Sequence, residues 1–242
     1  MTIPLQQACY RARFATSEAD LLACQQLRHL CFFGHPGRDA DKFDVDCRHL
    51  MVTDVAGHLV ATLRLFEAAN GAQAAAGYAG QHYDLSGFAQ MTRPMIEIGR
   101  FCVAPDVMHA DVSRTAWAAL ARLVDAGNVG MLFGCTSLTG TDPARYGQAM
   151  QCLIRNHLGP REYLPGIKSS NVTKLSDVPV TGTHPLPPLM RSYLAMGGWV
   201  GDHLVTDPRM KTMHVFTCLD VDAVPPARAR ALRTLAQALA LP

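Results

Sequence analysis

A glutamate and an arginine lie three residues apart in the apolar segment MIEIGRFCVA, residues 95–104. The segment predicts a strand, and a buried strand seldom carries both Glu97 and Arg100 without a reason. Gly99 lies between them and predicts a bulge that would turn both side chains to one side. A carboxylate held in this way suits proton transfer in a cleft. A structural ion pair and an edge strand are the alternatives for this segment.

Another arginine, Arg64, lies among apolar residues in ATLRLF, residues 61–66. A buried guanidinium needs a carboxylate partner, and the polar loop GHPGRDADKFD, residues 34–44, offers Asp41 and Asp44. Because a guanidinium matches a carboxylate bidentately, Arg64 also suits the carboxylate of a small molecule. An exposed arginine at a sheet edge is the alternative.

Two further candidates lie near predicted helix starts. Arg114 lies near the start of the helix predicted over 111–126, where free backbone N–H groups and the helix dipole favour a phosphate. Tyr146 follows Asp142-Pro143, a good helix start, and its hydroxyl is a candidate proton donor to a leaving thiolate. A capped surface helix and a packed ring are the alternatives.

The eight cysteines predict reduced thiols and no metal site. They are Cys9, Cys24, Cys31, Cys47, Cys102, Cys135, Cys152 and Cys218. None of them forms a C-x-x-C pair and several lie in apolar stretches, as is typical of a cytosolic protein. Cys47 and His49 are close in sequence, but without a second pair at ligand spacing we expect no metal there.

The composition is that of a globular protein. The chain has 242 residues, of which 49% are apolar and 17% charged, and a net charge of +2 gives no support for nucleic-acid binding. Because no apolar run suits a signal peptide or a membrane span, we expect a cytoplasmic location. Arg228, Arg230 and Arg233 near the C-terminus allow a transient, peripheral contact at the inner membrane face, with a solvated helix face as the alternative.

Periodicity and turn residues predict an α/β fold with a mixed sheet, in a single domain over residues 1–242. The predicted helices are 17–33, 111–126, 142–158 (closed by Gly159), 187–196 and 226–240, and the predicted strands are 49–54, 58–66, 95–104, 131–137 and 213–219. Residues 68–82 predict a loop or a frayed helix, and residues 160–185 an irregular segment. No GxGxxG or P-loop motif supports a nucleotide-binding fold.

Taken together, several segments resemble a known family. The runs DADKFDVDCRHLMV, VATLRLF, IEIGRFCVAPD, LFGCTSLTGTDP and LPPLMRSYLAMGGWVGDHLVTDP are similar to the GNAT-like branch that contains ornithine N-acyltransferases. The resemblance spans most of the chain in the same order. It implies a GNAT-like mixed central sheet flanked by helices, with a V-shaped splay between the strands 95–104 and 131–137.

The resemblance also implies a reaction. Members of that branch make lyso-ornithine lipid from ornithine and a 3-hydroxyacyl carrier protein, so the donor is a phosphopantetheine thioester and we expect no cofactor. The common GNAT phosphate loop, a Gln or Arg followed by spaced glycines, is missing between Val103 and Ser113. Its absence suits a carrier protein, whose arm presents one phosphodiester and no pyrophosphate.

A mechanism for this chain follows from that resemblance. Glu97 would accept the proton of the acceptor amine, and a backbone N–H near Cys102 or Val103 would bind the oxyanion. Arg100 and Arg64 would orient the acidic loop or the acceptor carboxylate. The candidate catalytic residues are Glu97, Arg100 and Tyr146; the candidate substrate-binding residues are Arg64, Asp41, Asp44, Phe32, Phe33 and Asp207; and the candidate donor-binding residues are Cys102, Val103 and Arg114.

Two other functions stay open at the level of sequence. The acyl-homoserine-lactone synthases share the acidic loop, the hairpin arginine and the Glu-x-x-Arg strand, and they use S-adenosylmethionine. Those synthases usually carry a tryptophan near the end of the first helix, where this chain has Phe32 and Phe33. The second alternative is a non-catalytic module that binds acyl carrier protein, in which Glu97 would be dispensable.

Overall fold

The structure, a computed structural model, describes residues 10–107 and 110–238. Its strands are β1 (Tyr10–Phe14), β2 (Arg48–Asp54), β3 (Leu59–Ala68), β4 (Tyr83–Asp84), β5 (Met95–Val103), β6 (Met131–Thr139), β7 (Gly166–Ile167), β8 (Val172–Lys174), β9 (Trp199–Asp207) and β10 (Thr212–Asp220). Its helices are α1 (Glu18–Phe33), α2 (Gly71–Ala74), α3 (Ala79–His82), α4 (Ala110–Ala126), α5 (Gly147–Asn156), α6 (Pro188–Ala195) and α7 (Pro226–Ala238). Cys9 and residues 239–240 of the predicted last helix lie outside the described ranges.

The chain divides into two compact units. The first comprises the described residues within Met1–Phe66, Gly99–Gly127 and Pro226–Pro242, and the second comprises Glu67–Ile98 and Asn128–Pro225. Strand β5 begins in the second unit and ends in the first. The single domain over 1–242 and the V-shaped splay stay predictions.

The first unit holds the predicted hairpin, which is confirmed. Strands β2 and β3 pair antiparallel, and β1 pairs antiparallel with β2. The end of β5 reaches this sheet, because the Ala104 N–H donates to the Val60 carbonyl at 2.8 Å. Helix α4 packs on β1 and β2, and the exposed Arg233 of α7 bonds to Asp125 of α4 at 2.7 Å and 2.8 Å.

Helix α1 is built as the sequence predicts. The Ser17 hydroxyl accepts from the Asp20 N–H and caps the first turn, and Gly34 ends the helix in the left-handed conformation with φ 76°. The buried side of α1 is unusual, because it contains Gln25 and Arg28 beside Cys24 and Leu27. Two polar side chains on a buried helix face need partners from the elements they meet.

The second unit contains the mixed part of the sheet, as predicted. Strand β5 pairs parallel with β6 from Met95↔Met131 to Glu97↔Phe133, and β6, β10, β9 and β8 follow as antiparallel neighbours. Strands β4 and β7 form a separate antiparallel pair. Against one part of this sheet packs a core of buried residues from β6, β9, β10, α5, α6 and the 3-10 turn before α5: Leu138, Tyr146, Met150, Leu153, Met190, Val200, Leu204, Met213 and Val215.

Several predicted elements were incomplete or wrong. Strands β1 and β9 were not predicted from the sequence. Residues 68–82 form two one-turn helices, α2 and α3, and 160–185 includes β7 and β8. The helix after Asp142 starts with a 3-10 turn and ends at Asn156, before Gly159. Gly159 serves close packing instead, since a Cβ there would lie 2.2 Å from the Trp199 ring.

Candidate active site

Three arginines of the first unit pair with three aspartates of the loop that follows α1. We call this set the arginine–aspartate cluster: Arg28, Arg64, Arg100, Asp39, Asp41 and Asp44. The arginines come from α1, β3 and β5, so the loop is held by three separate elements. Ion pairs of this kind fix a loop only when each charge has a partner.

Arg28 forms the fully buried part of the cluster, with 0% of its side chain exposed. Its Nε donates to Asp39 Oδ2 at 3.0 Å, and its second terminal nitrogen donates to Asp44 Oδ2 at 2.8 Å and to the Asp39 carbonyl. Its remaining nitrogen lies 3.3 Å from His49 Nδ1. Sequence reasoning missed Arg28, although it follows Cys24 by one helical turn and so lies on the apolar face of α1.

Arg64 pairs with Asp41 and Asp44, as predicted. One terminal nitrogen lies 2.5 Å from Asp41 Oδ1 and 2.8 Å from Asp44 Oδ1, and the side chain is 3% exposed. Burial alone would raise the pKa of Asp44, but hydrogen bonds from Arg28 and Arg64 lower it to about 2. Asp44 also accepts from Gln25, so its two oxygens are occupied by groups of the protein.

Arg100 lies at the more open side of the cluster. Its guanidinium donates to Asp39 Oδ2 at 3.0 Å and to Asp41 Oδ2 at 3.3 Å, while 16% of the Arg100 side chain and 21% of the Asp41 side chain are exposed. The backbone of Arg100 has φ 53°, a conformation that is uncommon for a residue with a side chain. The strand is therefore irregular one residue after Gly99, and such strain is often kept at functional positions.

The remaining predicted residues of the first unit surround this cluster or lie apart from it. The Phe32 ring lies 5.8 Å from the Arg100 guanidinium, whereas Phe33 contacts His29 at 4.7 Å. Arg114 is exposed and pairs with Asp111 at 2.6 Å. Residues 108 and 109, which precede α4, lie outside the described residues, so the phosphate site there stays a prediction.

Cys102 and Val103 lie at the end of β5, beside Cys31 of α1. The Cys31 thiol donates to the Val103 carbonyl at 3.3 Å. A hydrogen bond that the Cys102 thiol donates to the Cys31 sulfur, together with burial, raises the pKa of Cys102 well above its usual range. Cys102 is therefore a protonated thiol at neutral pH, which agrees with a mechanism that has no cysteine nucleophile.

In the second unit, Glu97 is a buried carboxylate on β5. It is 3% exposed, and its Oε1 accepts from the Ala79 N–H at 2.7 Å. Ala79 is the first residue of α3, so the contact fixes this helix against the strand. A buried carboxylate in a defined orientation has the properties required of a general base.

Two further candidates of the second unit already have partners in the protein. The Tyr146 hydroxyl donates to the Thr139 carbonyl at 3.1 Å, and the side chain lies in the hydrophobic core at 1% exposure. Asp207 accepts from the backbone N–H groups of Arg209 and Met210 at 2.9 and 3.0 Å, so its carboxylate closes the turn between β9 and β10. These contacts favour packing and turn formation for the two residues.

The described part of the chain contains neither a metal site nor a membrane-spanning helix. Among residues 10–107 and 110–238, no group of three or more His, Cys, Asp or Glu side chains is arranged to hold a metal ion. Within the same ranges, no helix combines the length and the apolar composition needed to cross a membrane.

Comparison with known proteins identifies the kind of enzyme. Residues 28–118 match the family model described as an acetyltransferase (GNAT) domain. The L-ornithine N(alpha)-acyltransferase of Rhodobacter capsulatus is 29% identical over 236 residues, which cover 89% of this chain and 91% of that protein. The protein of the same name from Brucella abortus is 27% identical, over 88% of this chain and 84% of its own.

The protein is an acyltransferase with the GNAT fold. The fold is shared with FeeM, an N-acyl amino acid synthase from uncultured soil microbes, with a TM-score of 0.51, 11% identity, and coverage of 94% of this chain and 97% of that one. The predicted fold class is thereby confirmed. Homologues named as N-acyltransferases along nearly the whole chain also identify the protein as an N-acyltransferase and not as a non-catalytic module.

Proposed function

We propose that the protein transfers a 3-hydroxyacyl chain from an acyl carrier protein thioester to the α-amine of ornithine, the first step of ornithine lipid synthesis. The observation that carries this proposal is the similarity, over 88–89% of this chain, to relatives named L-ornithine N(alpha)-acyltransferase. The donor is inferred from the missing GNAT phosphate loop between Val103 and Ser113. No cofactor enters the reaction, because the thioester itself supplies the activated acyl group.

The reaction needs a neutral amine at the acyl carbon. We assign proton removal to Glu97, directly or through a water, because it is the buried carboxylate that β5 and α3 hold in place. The amine nitrogen then forms the C–N bond, and the oxyanion of the tetrahedral intermediate accepts from a backbone N–H near Cys102 or Val103. As the C–S bond breaks, the nitrogen releases its second proton to water, and the leaving thiolate takes a proton from Glu97 or from water.

The arginine–aspartate cluster narrows the candidates for acceptor binding. Asp44 is saturated by Arg28, Arg64 and Gln25, so we assign it to holding the loop. Asp41 and Arg100 keep part of their side chains exposed and are the members of the cluster that can meet an acceptor. We retain both as substrate-binding candidates, and we assign Arg64 to orienting the acidic loop.

A transient membrane contact would suit a lipid product. Arg228 and Arg230 are exposed on α7, and we propose them as the residues that meet an anionic membrane surface. Co-sedimentation with anionic vesicles should fall when both arginines are replaced by glutamine, and equal sedimentation of the variant would argue against this contact.

The experiment that tests the function offers two acceptors to one donor. Purified protein is incubated with 3-hydroxyacyl carrier protein and either ornithine or S-adenosylmethionine, and products are analysed by mass spectrometry. We expect acyl-ornithine in the first sample only, formed about 100-fold more slowly or less with Glu97→Gln. A homoserine lactone in the second sample would instead place the protein among the signal synthases, which share the acidic loop and the Glu-x-x-Arg strand. The absence of any acylated product in both samples would contradict the proposed acceptor.

A further inference from the structure

Three histidines and a tyrosine lie together inside the second unit. We call His82, Tyr83, His203 and His214 the histidine–tyrosine cluster. The Tyr83 ring centroid lies 5.1 Å from that of His203 and 5.6 Å from that of His214, and the His82 ring meets His214 at 4.8 Å. Tyr83 and His203 are 0% exposed and His214 is 2% exposed.

The contacts of Tyr83 show which ring nitrogen of His214 carries the proton. The Tyr83 hydroxyl lies 2.9 Å from the His214 carbonyl and 3.1 Å from its Nδ1. A carbonyl only accepts, so the single hydroxyl proton goes to that oxygen, and the hydroxyl accepts from Nδ1–H. Nε2 of the neutral ring therefore carries a lone pair. Burial lowers the pKa of His214 to about 4, which keeps the ring neutral at physiological pH.

His203 presents the same kind of atom. Its Nδ1 lies 2.7 Å from Asp202 Oδ1, and a carboxylate requires a proton on that nitrogen. In the tautomer that carries its proton on Nδ1, Nε2 of His203 is also a lone-pair acceptor. Both Nε2 atoms are buried and have no hydrogen-bond partner among the described residues. Since buried polar atoms are nearly always paired, two such acceptors in one cluster point to a ligand that donates hydrogen bonds.

The two imidazoles meet at one aromatic ring. The register of the β9–β10 ladder breaks beyond Val215↔Leu204, so regular strand spacing does not place His203. The Tyr83 ring does, because it contacts both imidazoles, at 5.1 Å for His203 and 5.6 Å for His214. One donor atom that serves both lone pairs needs two hydrogens. A primary amine or ammonium supplies them, whereas a hydroxyl supplies one.

The surroundings also suit an ammonium group. The rings of Tyr83 and Phe216 lie 5.7 Å apart in the same cluster of aromatic side chains, and aromatic faces attract cations. Asp202 lies behind His203, and Asp207 acts electrostatically on His214. A carboxylate thus lies at Nδ1 of His203 and leaves its Nε2 unoccupied.

The cluster lies on the same face of the sheet as Glu97. Residues paired across neighbouring strands share a face, so Glu97 and Phe133 do, as do Ser137 and His214, and Phe133 and Ser137 are four residues apart on β6. Two strand spacings and four residue steps put the Cα atoms of Glu97 and His214 roughly 16 Å apart. Two side chains with a five-carbon diamino acid between them span such a gap.

We propose that His203 and His214 bind the side-chain amine of the acceptor amino acid and so select a diamino acid. This rests on the proposed function, because the amine that is acylated must then be the α-amine. Tyr83 is a positioning residue in this proposal, since it sets the tautomer of His214 and does not touch the acceptor.

The test compares ornithine with norvaline, which has the same carbon chain without the side-chain amine. Wild-type protein should prefer ornithine in kcat/KM. In His203→Phe and His214→Phe the ornithine KM should rise roughly 10- to 100-fold, the loss typical of one hydrogen bond to a charged group, while norvaline kinetics stay unchanged. The control His184→Phe replaces an exposed histidine of the same unit and should keep the wild-type preference.

Two kinetic outcomes would overturn the proposal. An unchanged ornithine-to-norvaline ratio in both folded variants would mean that the free nitrogens meet only a buried water. A rise in KM for the acyl donor with an unchanged ornithine KM would assign the cluster to the acyl chain.

A binding measurement keeps the proposal testable if a variant fails to fold or if the protein acylates neither acceptor. In wild-type protein labelled with ¹⁵N-histidine, ornithine should shift the Nε2 resonances of His203 and His214, and norvaline should not. Shifts without turnover would leave the amine site in place and refute the proposed reaction. Turnover of ornithine without any shift would refute the amine site alone.

Discussion

Replacing Arg28 with methionine gives the sharpest test of how the acidic loop is held. Methionine fills the space of the unbranched aliphatic part of the side chain but removes the guanidinium from α1. Asp39 then loses the Nε donor at 3.0 Å, and Asp44 loses the donor at 2.8 Å. Both carboxylates are buried, at 6% and 4% side-chain exposure, so water cannot replace the lost partner.

The size of the effect follows from this burial. Removing one partner of a buried ion pair costs about 3–5 kcal/mol, because the other charge stays in the interior. Arg64 and Arg100 still contact Asp44 and Asp39, so we expect the lower end, about 3 kcal/mol. For a chain of this size that corresponds to a fall in Tm of roughly 6–12 °C.

Urea unfolding followed by circular dichroism measures this loss, with Arg13→Met as the matched control. Arg13 also makes two bonds to an aspartate, at 2.6 and 2.7 Å, but 46% of its side chain is exposed. An exposed pair contributes at most about 1 kcal/mol. If Arg28→Met and Arg13→Met lost the same free energy of unfolding, the cluster would not be what holds the loop.

Three further predictions concern single side chains. Glu97→Gln should lower turnover about 100-fold or more while the Ala79 N–H keeps an acceptor and the circular dichroism spectrum is retained; full turnover in the folded variant would remove Glu97 as the base. Tyr146→Phe should lower the free energy of unfolding by about 1 kcal/mol and leave turnover intact. Removal of a general acid typically lowers turnover about 100-fold or more, so a loss of turnover of that size would restore the catalytic role of Tyr146. Folding lowers the pKa of the Asp44 carboxyl from 3.8 to about 2. The ionised carboxylate therefore contributes its full stabilisation above pH 3.8, and this stabilisation is lost as the pH falls from 3.8 to about 2. If Asp44→Asn lost as much stability in acid as wild type, this assignment would be contradicted.

Local patterns predicted the elements whose residues repeat regularly. Helix α1, the β2–β3 hairpin, β5 and α4 follow from apolar periodicity and from caps such as Ser17. Arg64 was predicted to pair with Asp41 and Asp44, because a charge in an apolar strand requires a partner and the nearest acidic loop supplied one. In each case the signal lies within a short stretch of chain.

The features that sequence reasoning missed depend on distant parts of the chain. Strand β9 contains Asp202 and His203, and its ladders with β10 and β8 show that it belongs to a sheet. Tyr83 and His214 are 131 residues apart, and no periodicity predicts their contact. Arg28 was predictable in principle, since its position in α1 is apolar, but its partners follow only from the fold of the loop.

The measurement that tests the central claim most directly follows one labelled nitrogen. Purified protein is given 3-hydroxyacyl carrier protein and ornithine carrying ¹⁵N at the α-amine, and the product is fragmented in a mass spectrometer while the free carrier-protein thiol is counted. We predict one acyl group on the labelled nitrogen for each thiol released. Acylation of the side-chain amine, or thiol release without acyl-ornithine, would contradict the account.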